Sequence, residues 1–417
     1  MVPRGIGVTG QMHSFVLVGA NGEPVRPAIT WLDTRAGDLV EEIDTRLGAA
    51  GLLQRVGNRP AAGLTVPPLL WLSRNEPEVL EQTQAILTAK DYLRFRLTGH
   101  LHADPSDASA MLLLDVRRRT WLPEVFQEFG IPISIVPPLL DSWESSGVVA
   151  SNQFERCRGV PVAAGCGDQQ AATVATGVLS PGSVQLMLGT GAQVAAPVDS
   201  PVNPSLDTLN LFCHHRKWLL QGSVQNSGSA LSWIRTVFGV EWEDVVHAAA
   251  VTDRTHVPYF LPYLTGERTP IMSARAGGGW LELRQGTTRK DLIVSAVEGI
   301  AFGAADAVDA VISGLGVDGD PVLRVGGGGS RGREYLMLIA DAIGRPLSVL
   351  PDLNATAVGA AILGGVAAGV FETLEDAART LSADPKVTVE PQPSRASQLA
   401  ERRHRMHELR DAYLSTL

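Results

Sequence analysis

The chain is poor in cysteine and in positive charge. Its 417 residues include three cysteines, none in a Cys-x-x-Cys pair, so the sequence indicates neither a disulfide framework nor a zinc site. The 35 basic residues are outnumbered by 44 acidic ones, and the formal charge of −9 disfavours nucleic acids and anionic membranes as partners. We therefore expect a protein of the reducing cytoplasm.

Long apolar runs are also lacking. The start, MVPRGIGVTG, has no signal-peptide core, and no apolar window reaches the length that crosses a bilayer. The nearest stretch, residues 355–370, has small-residue spacing like that of paired membrane helices, but it is short and rich in glycine. It predicts a buried helix of a soluble protein.

What the chain does contain is typical of α/β architecture, because apolar runs of strand length alternate with helical patterns. We predict strands at residues 5–9, 15–18, 160–163, 184–188, 218–220, 322–325 and 347–350. The helical patterns lie at residues 36–47, 67–74, 90–97, 228–238, 289–315 and 333–343. A chain of this length predicts two domains.

The pair Pro181-Gly182 marks the predicted domain boundary, because it interrupts the chain just before a new strand. The predicted domains are residues 1–177 and 178–370, followed by a helical extension at 371–417. The segment 396–417 has the pattern of an amphipathic helix. We expect its Arg402, Arg403 and Arg405 to form a solvated basic face.

The motif GCGDQQ at residues 165–170 places one carboxylate, Asp168, between glycines and two amides, close to the predicted boundary. Small-molecule sites concentrate at such junctions. In phosphoryl transfer to an alcohol, a carboxylate accepts the hydroxyl proton. Alternatively, Asp168 caps a helix that starts at Gln169, because Asp is a favoured N-cap residue. The residues alone leave both interpretations open.

Two glycine loops follow predicted strands. The loop Gly189-Thr190-Gly191 has the composition of a phosphate-binding loop and also that of a plain hairpin turn. A second loop, residues 326–332, precedes a predicted helix, where amides favour an anion. That loop also fits GxGxxG, with Asp352 about twenty residues further on, as in a dinucleotide-binding fold. The chain has no GxxxxGK[ST] phosphate loop.

Polar and aromatic residues follow the first apolar stretches. Gln11, Met12 and His13 come after one of them, and Trp31 comes after another. Such groups suit a polyol, through hydrogen bonds to hydroxyls and ring contact with the carbon face. Taken singly, each is more typical of ordinary packing.

Motifs along nearly the whole chain carry a resemblance to a known family. In order they are GVTGQMHS, WLDTR, PPLLWLSRNEP, KDYLRFRLTG, SDAS, GCGDQQAA, LGTG, LPYLTGERTP, VEGIAFG, GGGGSRG and VGAAILG. The chain resembles the FGGY carbohydrate kinases, with the xylulokinases as the most similar group. This resemblance replaces the dinucleotide interpretation.

The resemblance implies two actin-like (ribonuclease H-like) ATPase domains with a ligand cleft between them. It implies ATP-dependent phosphorylation of a sugar hydroxyl, D-xylulose to D-xylulose 5-phosphate, with ATP and Mg²⁺. Gluconate, ribulose and glycerol are the alternative substrates. A homodimer is also expected.

Site roles follow from the same resemblance, position by position. Asp168 is implied as the catalytic base, and no residue is assigned to the metal. The residues implied in sugar binding are Gln11, Met12, His13, Trp31, Asp168 and Gln169. The residues implied in nucleotide binding are Gly189, Thr190, Gly191, Gly228, Gly327, Gly328 and Gly329.

Departures from the family pattern add further expectations. The family begins with a strand and a glycine loop whose Asp places magnesium, so we expect an N-terminally incomplete first domain and weak or absent turnover. A catalytically silent sugar- or nucleotide-binding protein is the alternative. The pair Gln169-Gln170 resembles the pattern of glycerol kinases, and Ser14 after Met12-His13 resembles that of gluconate kinases, which leaves the substrate open. Asn354 replaces an acidic residue and is predicted to cap a helix.

Overall fold

The computed structural model describes residues 2–203, 205, 207–316, 320–351, 354–382, 385 and 387–417. We call residues 2–177 the N-terminal region. Its strands are β1 (Thr9–Gly10), β2 (Phe15–Val18), β3 (Ala85–Thr88), β4 (Leu114–Asp115), β5 (Thr120–Trp121), β6 (Ser145–Val148), β7 (Pro161–Ala163) and β8 (Cys166–Gly167). Its helices are α1 (Val40–Ala49), α2 (Leu53–Val56), α3 (Val66–Asn75), α4 (Pro77–Glu81), α5 (Ala89–Thr98), α6 (Pro105–Ala108), α7 (Pro123–Phe129) and α8 (Asp168–Ala175).

The C-terminal region comprises the described residues from 178 onward. Its strands are β9 (Ser183–Leu188), β10 (Ala192–Val198), β11 (Asn210–His214), β12 (Lys217–Val224), β13 (Tyr259–Leu261), β14 (Gly279–Leu281), β15 (Val322–Gly326), β16 (Leu347–Val349) and β17 (Val387–Val389). Its helices are α9 (Gly228–Phe238), α10 (Trp242–Ala250), α11 (Arg289–Gly314), α12 (Arg333–Ile343), α13 (Ala355–Ala367), α14 (Leu374–Leu381) and α15 (Pro393–Leu414).

The C-terminal region is built on a seven-stranded mixed sheet in the order β11-β12-β10-β9-β15-β16-β17. Strands β9, β15 and β16 are parallel, and the remaining neighbours are antiparallel. Alternation along β9 sends Val184, Leu186 and Leu188 into the main core, which also contains the apolar face of α11. From the opposite face, Gln185 donates to the Ala172 carbonyl of α8 at 3.1 Å, so α8 lies against this sheet.

Strands of the N-terminal region pair in twos, as β1–β8, β2–β3, β4–β5 and β6–β7. The strand predicted at residues 5–9 is much shorter than expected. It is reduced to Thr9–Gly10 and a single bridge between Ile6 and Val162. The reason is close packing, since a Cβ added at Gly7 would lie 1.6 Å from the carbonyl oxygen of Ala360 in α13.

Helix α13 fills most of the apolar stretch 355–370 and packs on α8 and on the first residues of the chain. A Cβ at Gly359 would lie 1.9 Å from the Ala171 oxygen, and one at Gly364 would lie 2.4 Å from the Gly7 nitrogen. The small residues therefore allow backbone contact between the two regions, and the prediction of a buried helix is confirmed. Within the described part of the chain, no helix has the length and apolar character needed to cross a membrane.

Two predictions concern the start of α13. The side chain of Asn354 accepts a hydrogen bond from the Ala357 amide at 3.3 Å, which confirms the predicted N-cap. Asp352, the acidic residue of the dinucleotide pattern, lies outside the described residues.

The predicted basic face of the last helix is wrong for two of its three arginines. Arg402 and Arg403 are only 11% and 12% exposed, because they form ion pairs with buried Glu298 and Asp306 of α11. Arg405 is 47% exposed, as expected of a solvated side chain. Charge that looks like a solubilising face in the sequence therefore holds α15 on the body of the protein.

Removing one of these contacts provides a test. We expect Arg402→Met to lower the free energy of unfolding by about 2–3 kcal/mol, because among the described residues it leaves buried Glu298 with Arg254 as its one remaining ion-pair partner. Arg405→Met is the matched control, and we expect a clearly smaller loss because its ion pair is exposed. Urea denaturation measures the free energy of unfolding of both variants. Equal losses would contradict the inference that the buried ion pair of Arg402 holds α15 in place.

Candidate active site

Two strands of two residues each, β1 and β8, determine which polar residues of the N-terminal region lie together. Strand β1 runs parallel to β8, with Thr9 opposite Cys166 and Gly10 opposite Gly167. Because parallel strands end at the same edge of a sheet, Gln11 leaves β1 beside the point where Asp168 leaves β8. A Cβ on Gly167 would lie 2.8 Å from Met12 Cγ, so these two segments touch.

Ser14 ties Trp31 to the same edge. Its buried hydroxyl accepts hydrogen bonds from Gln11 Nε2 at 2.9 Å and from the Trp31 amide at 3.1 Å. The Trp31 ring stays 45% exposed. The structure thus gathers two of the residues implied in sugar binding, Gln11 and Trp31, around one internal hydroxyl.

His13 has an unusual backbone and a fixed ring. Its φ of 70° lies in the left-handed region, which non-glycine residues rarely adopt and which recurs at functional sites. Its Nδ1 lies 2.9 Å from the Ala110 carbonyl oxygen, an acceptor, so Nδ1 carries the hydrogen. Desolvation lowers the pKa of His13 to about 4 against the opposing effect of this bond, and the ring is therefore neutral at pH 7.

Met12 is buried rather than presented to solvent. It is 5% exposed and packs with Ala110 and with Ala195, Phe212 and Leu219 of the large sheet. The Met12 cluster therefore joins the edge of β1 to the C-terminal region.

Asp168 is the first residue of α8 and is half-buried. The helix begins one residue earlier than the capping alternative supposed, and its N-cap residue is Gly167, which makes no side-chain capping bond. That alternative is therefore wrong. Desolvation raises the pKa of Asp168, while hydrogen bonds from the Gln169 backbone, its own backbone and the Gln169 side chain oppose the rise.

The two glycine loops meet because β9 and β15 are parallel neighbours, with Met187 opposite Gly326. Residues Gly189–Gly191 form a hairpin turn between β9 and β10, as the alternative interpretation of the residues predicted. Helix α9 begins against that turn: Gly228 donates its amide hydrogen to the Gly189 carbonyl at 3.1 Å, and Ser229 donates to the Thr190 carbonyl at 2.8 Å.

A cavity of about 570 Å³ opens between these loops, a volume within the range of small-molecule sites. Of the residues implied in nucleotide binding, Gly189, Thr190, Gly228, Gly328 and Gly329 line it. Gly191 and Gly327 are not among its lining residues. Gly327 has a φ of 90°, and a Cβ there would lie 2.5 Å from the Leu188 carbonyl oxygen, so it shapes the turn itself.

Family models match both regions. The N-terminal domain model of the FGGY family of carbohydrate kinases matches residues 2–175, and the C-terminal domain model matches residues 184–368. The chain belongs to the FGGY family of carbohydrate kinases. It is a carbohydrate kinase with the two-domain fold of that family, as the motifs predicted.

Individual members of the family give the degree of similarity. The chain is 31% identical to the xylulose kinase of Escherichia coli K12 over 379 residues, which is 89% of this chain and 77% of that protein. It superposes on the crystal structure of a xyloylose kinase from Brucella ovis with a TM-score of 0.92 and 30% identity, over 100% of this chain and 86% of that one. A gluconate kinase from Lactobacillus acidophilus has a TM-score of 0.91 at 24% identity, over 99% and 85% of the two chains. That last likeness shows the fold alone.

FGGY kinases use ATP, generally with Mg²⁺. In the part of the chain described above, no three His, Cys, Asp or Glu side chains form a group that could hold a metal ion. Magnesium commonly binds through substrate phosphates, waters and one or two carboxylates rather than in an all-protein cage. A magnesium ion held in that way takes phosphate oxygens as ligands and needs no cluster of three protein side chains.

Sequence reasoning missed two residues of the motif LPYLTGERTP. Glu267 is buried and accepts hydrogen bonds from the Gln225 amide at 2.6 Å and from Asn226 Nδ2 at 2.9 Å, which fixes the segment before α9. The neighbouring Arg268 is exposed, and its charge lowers the pKa of His13. The motif was a signal for both, but only the fold brings Arg268 near His13.

This charge coupling can be measured. We expect Arg268→Gln to raise the pKa of His13, which stays below its ordinary value because desolvation is the larger cause. NMR titration of the His13 ring provides the measurement. Arg275→Gln, which removes another exposed arginine, should leave this pKa unchanged. A His13 pKa that does not respond to the Arg268 change would contradict the coupling.

Proposed function

We propose that the chain transfers the γ-phosphoryl group of ATP to the terminal hydroxyl of D-xylulose, giving D-xylulose 5-phosphate, with Asp168 as the general base. The observation that carries this proposal is the parallel register of β1 and β8, which aligns Gly10 with Gly167. That register brings polar groups suited to a polyol to the side of one half-buried carboxylate.

The chemistry of each group supports its role. The neutral His13 ring donates through Nδ1, so its Nε2 has a lone pair that accepts a hydrogen bond from a sugar hydroxyl. A raised pKa makes the Asp168 carboxylate a better proton acceptor. The protein's contribution to phosphoryl transfer is then mainly positioning and electrostatic stabilisation.

The nucleotide is assigned to the cavity between the glycine loops. Thr190, Gly328 and Gly329 form one part of its lining, and the Trp242 and Tyr335 rings form another. An aromatic and apolar wall suits a purine, and glycine backbone admits the close approach of phosphate oxygens. We assign Gly191 and Gly327 to shaping this loop pair rather than to direct contact.

D-xylulose is preferred over the alternatives because the curated relatives at about 30% identity are xylulose kinases. The position of Ser14 is a further reason to rank gluconate below D-xylulose as the substrate. Its hydroxyl accepts from Gln11 and Trp31 inside the wall, which assigns it a structural role instead of ligand recognition.

A substrate panel tests the assignment. We expect ADP release with D-xylulose at the highest kcat/KM, and lower values with ribulose, gluconate and glycerol, with the product identified by mass spectrometry. A preference for another of these compounds would overturn the sugar but not the reaction. Calorimetric sugar binding without any phosphorylated product would favour the silent binding protein.

Asp168→Asn separates the base from a structural residue. It should abolish phosphoryl transfer yet keep sugar affinity. Because the pKa of Asp168 is raised in the folded state, its ionisation opposes folding above that pKa. The Asn variant should therefore unfold at the same or a slightly higher temperature at pH 7, and any gain should vanish below the ordinary Asp pKa of about 4.

Asp291→Asn is the matched control, because Asp291 also lies in the first turn of a helix. Its carboxylate accepts from the Thr288 amide at 2.9 Å and completes a capping box. We expect this control to lose stability and to retain transfer. Parental transfer rates in Asp168→Asn would refute the proposed base.

A further inference from the structure

A group of buried charges lies against the segment that precedes Asp168, and the proposed reaction assigns it no role. Lys90, Asp91, Arg94, Asp104 and Asp107 are each at most 1% exposed. They belong to the motifs KDYLRFRLTG and SDAS and to the residues just before SDAS. Burying charge is costly unless the charges are paired and hydrogen-bonded, so the partners of this group determine what it holds in place.

The group is a closely paired network. Lys90 Nζ lies 2.6 Å from Asp91 Oδ1, 2.7 Å from Asp104 Oδ1 and 3.7 Å from Asp107 Oδ2. Arg94 pairs with Asp91 at 2.6 Å. Burial and the neighbouring carboxylates raise the pKa of Asp107 to about 8 despite the attraction of Lys90, so Asp107 is mainly protonated at pH 7.

One end of the segment before Asp168 is held by Arg94. Its Nη1 donates to the Ala164 carbonyl at 2.6 Å, and this arginine is itself held by Asp91. The next residue, Gly165, donates its amide hydrogen to the Ser142 carbonyl at 2.9 Å. The backbone before Asp168 is thus bonded to Arg94 of the network at residue 164. At residue 165 it is bonded to Ser142, whose hydroxyl donates to Asp104 of the network.

The other end is held through Ser106. Asp104 Oδ2 accepts the Ser106 hydroxyl, and it also accepts the Ser142 hydroxyl at 2.8 Å. The Ser106 oxygen in turn accepts the Gly167 amide at 3.2 Å. Gly167 immediately precedes Asp168, and no side chain caps the helix there, so this bond restrains the peptide from which the candidate base projects.

We propose that Ser106 is a positioning residue for phosphoryl transfer, linking the Lys90–Asp104 ion pair to the Gly167 amide and thereby fixing the Asp168 carboxylate against the sugar hydroxyl. The inference depends on the proposed role of Asp168. Misplacing a reacting group by about 1 Å can lower the rate on the order of 100-fold without loss of binding.

The test compares two serines that donate to the same Asp104 oxygen. Ser106→Ala removes both the bond to Asp104 and the acceptor for Gly167. Ser142→Ala removes a bond to Asp104 alone, because Gly165 bonds to the Ser142 backbone. Both side chains are buried, and Ser106→Ala should be the more destabilised variant because it also leaves the Gly167 amide without this acceptor.

The readouts are single-turnover transfer of labelled γ-phosphate, calorimetric sugar affinity and thermal unfolding, all on the full chain. We expect Ser106→Ala to lower the transfer rate about tenfold or more, with sugar affinity and the KM for ATP within about twofold, and Ser142→Ala to stay within about twofold in rate. Rates that fall equally in both variants, or a Ser106→Ala variant with the parental rate, would overturn the proposal.

The Asp168→Asn variant separates failure of this inference from failure of the proposed function. If Asp168→Asn is inactive while Ser106→Ala transfers phosphate at the parental rate, the general-base role of Asp168 is supported and the positioning role of Ser106 is refuted. If Asp168→Asn transfers phosphate at the parental rate, the general-base role of Asp168 is refuted, and any effect of Ser106→Ala on the rate has another origin.

Discussion

The site depends on the pairing of two strands of two residues each, Thr9–Gly10 and Cys166–Gly167. So short a ladder contributes little stability by itself, and neighbouring groups hold it in place. On one side, a Cβ at Gly10 would lie 3.2 Å from the backbone nitrogen of Lys90. On the other side, the Gly167 amide donates a hydrogen bond to the Ser106 hydroxyl oxygen. The polar residues that follow the two strands can meet because glycine lets the backbones approach each other closely.

A second close approach joins the two regions of the molecule. Helix α13 belongs to the C-terminal region by sequence, yet Gly359 packs on Ala171 of α8, the helix that begins with Asp168. On its other side, α8 receives hydrogen bonds from Gln185 and from Arg324, whose Nη1 donates to the Thr176 carbonyl at 2.6 Å. The helix that carries the candidate base is therefore held by two parts of the C-terminal region, helix α13 and the large sheet.

Buried charge has a consistent use in this protein. Arg402 and Arg403 hold the last helix against α11, and the network around Lys90 holds the loop before α8. Such pairs rarely add much net stability compared with apolar packing, but removing one partner is costly, so they specify one arrangement of their neighbours. In both places the charge orients backbone or helices that apolar contacts alone would leave less defined.

The order of the motifs was sufficient to predict the family, the α/β architecture and most long elements, and the bounds 228–238 and 333–343 agree with α9 and α12. The long elements could be predicted because their hydrophobic periodicity, and the change from a glycine loop to a helix, are visible within a short window of sequence. The sequence did not determine that Thr9 pairs with Cys166, that Asp168 starts its helix or that Arg402 is buried. Each of these depends on contacts between residues far apart in the chain, and two-residue strands and charged helix faces have no periodic signature of such contacts.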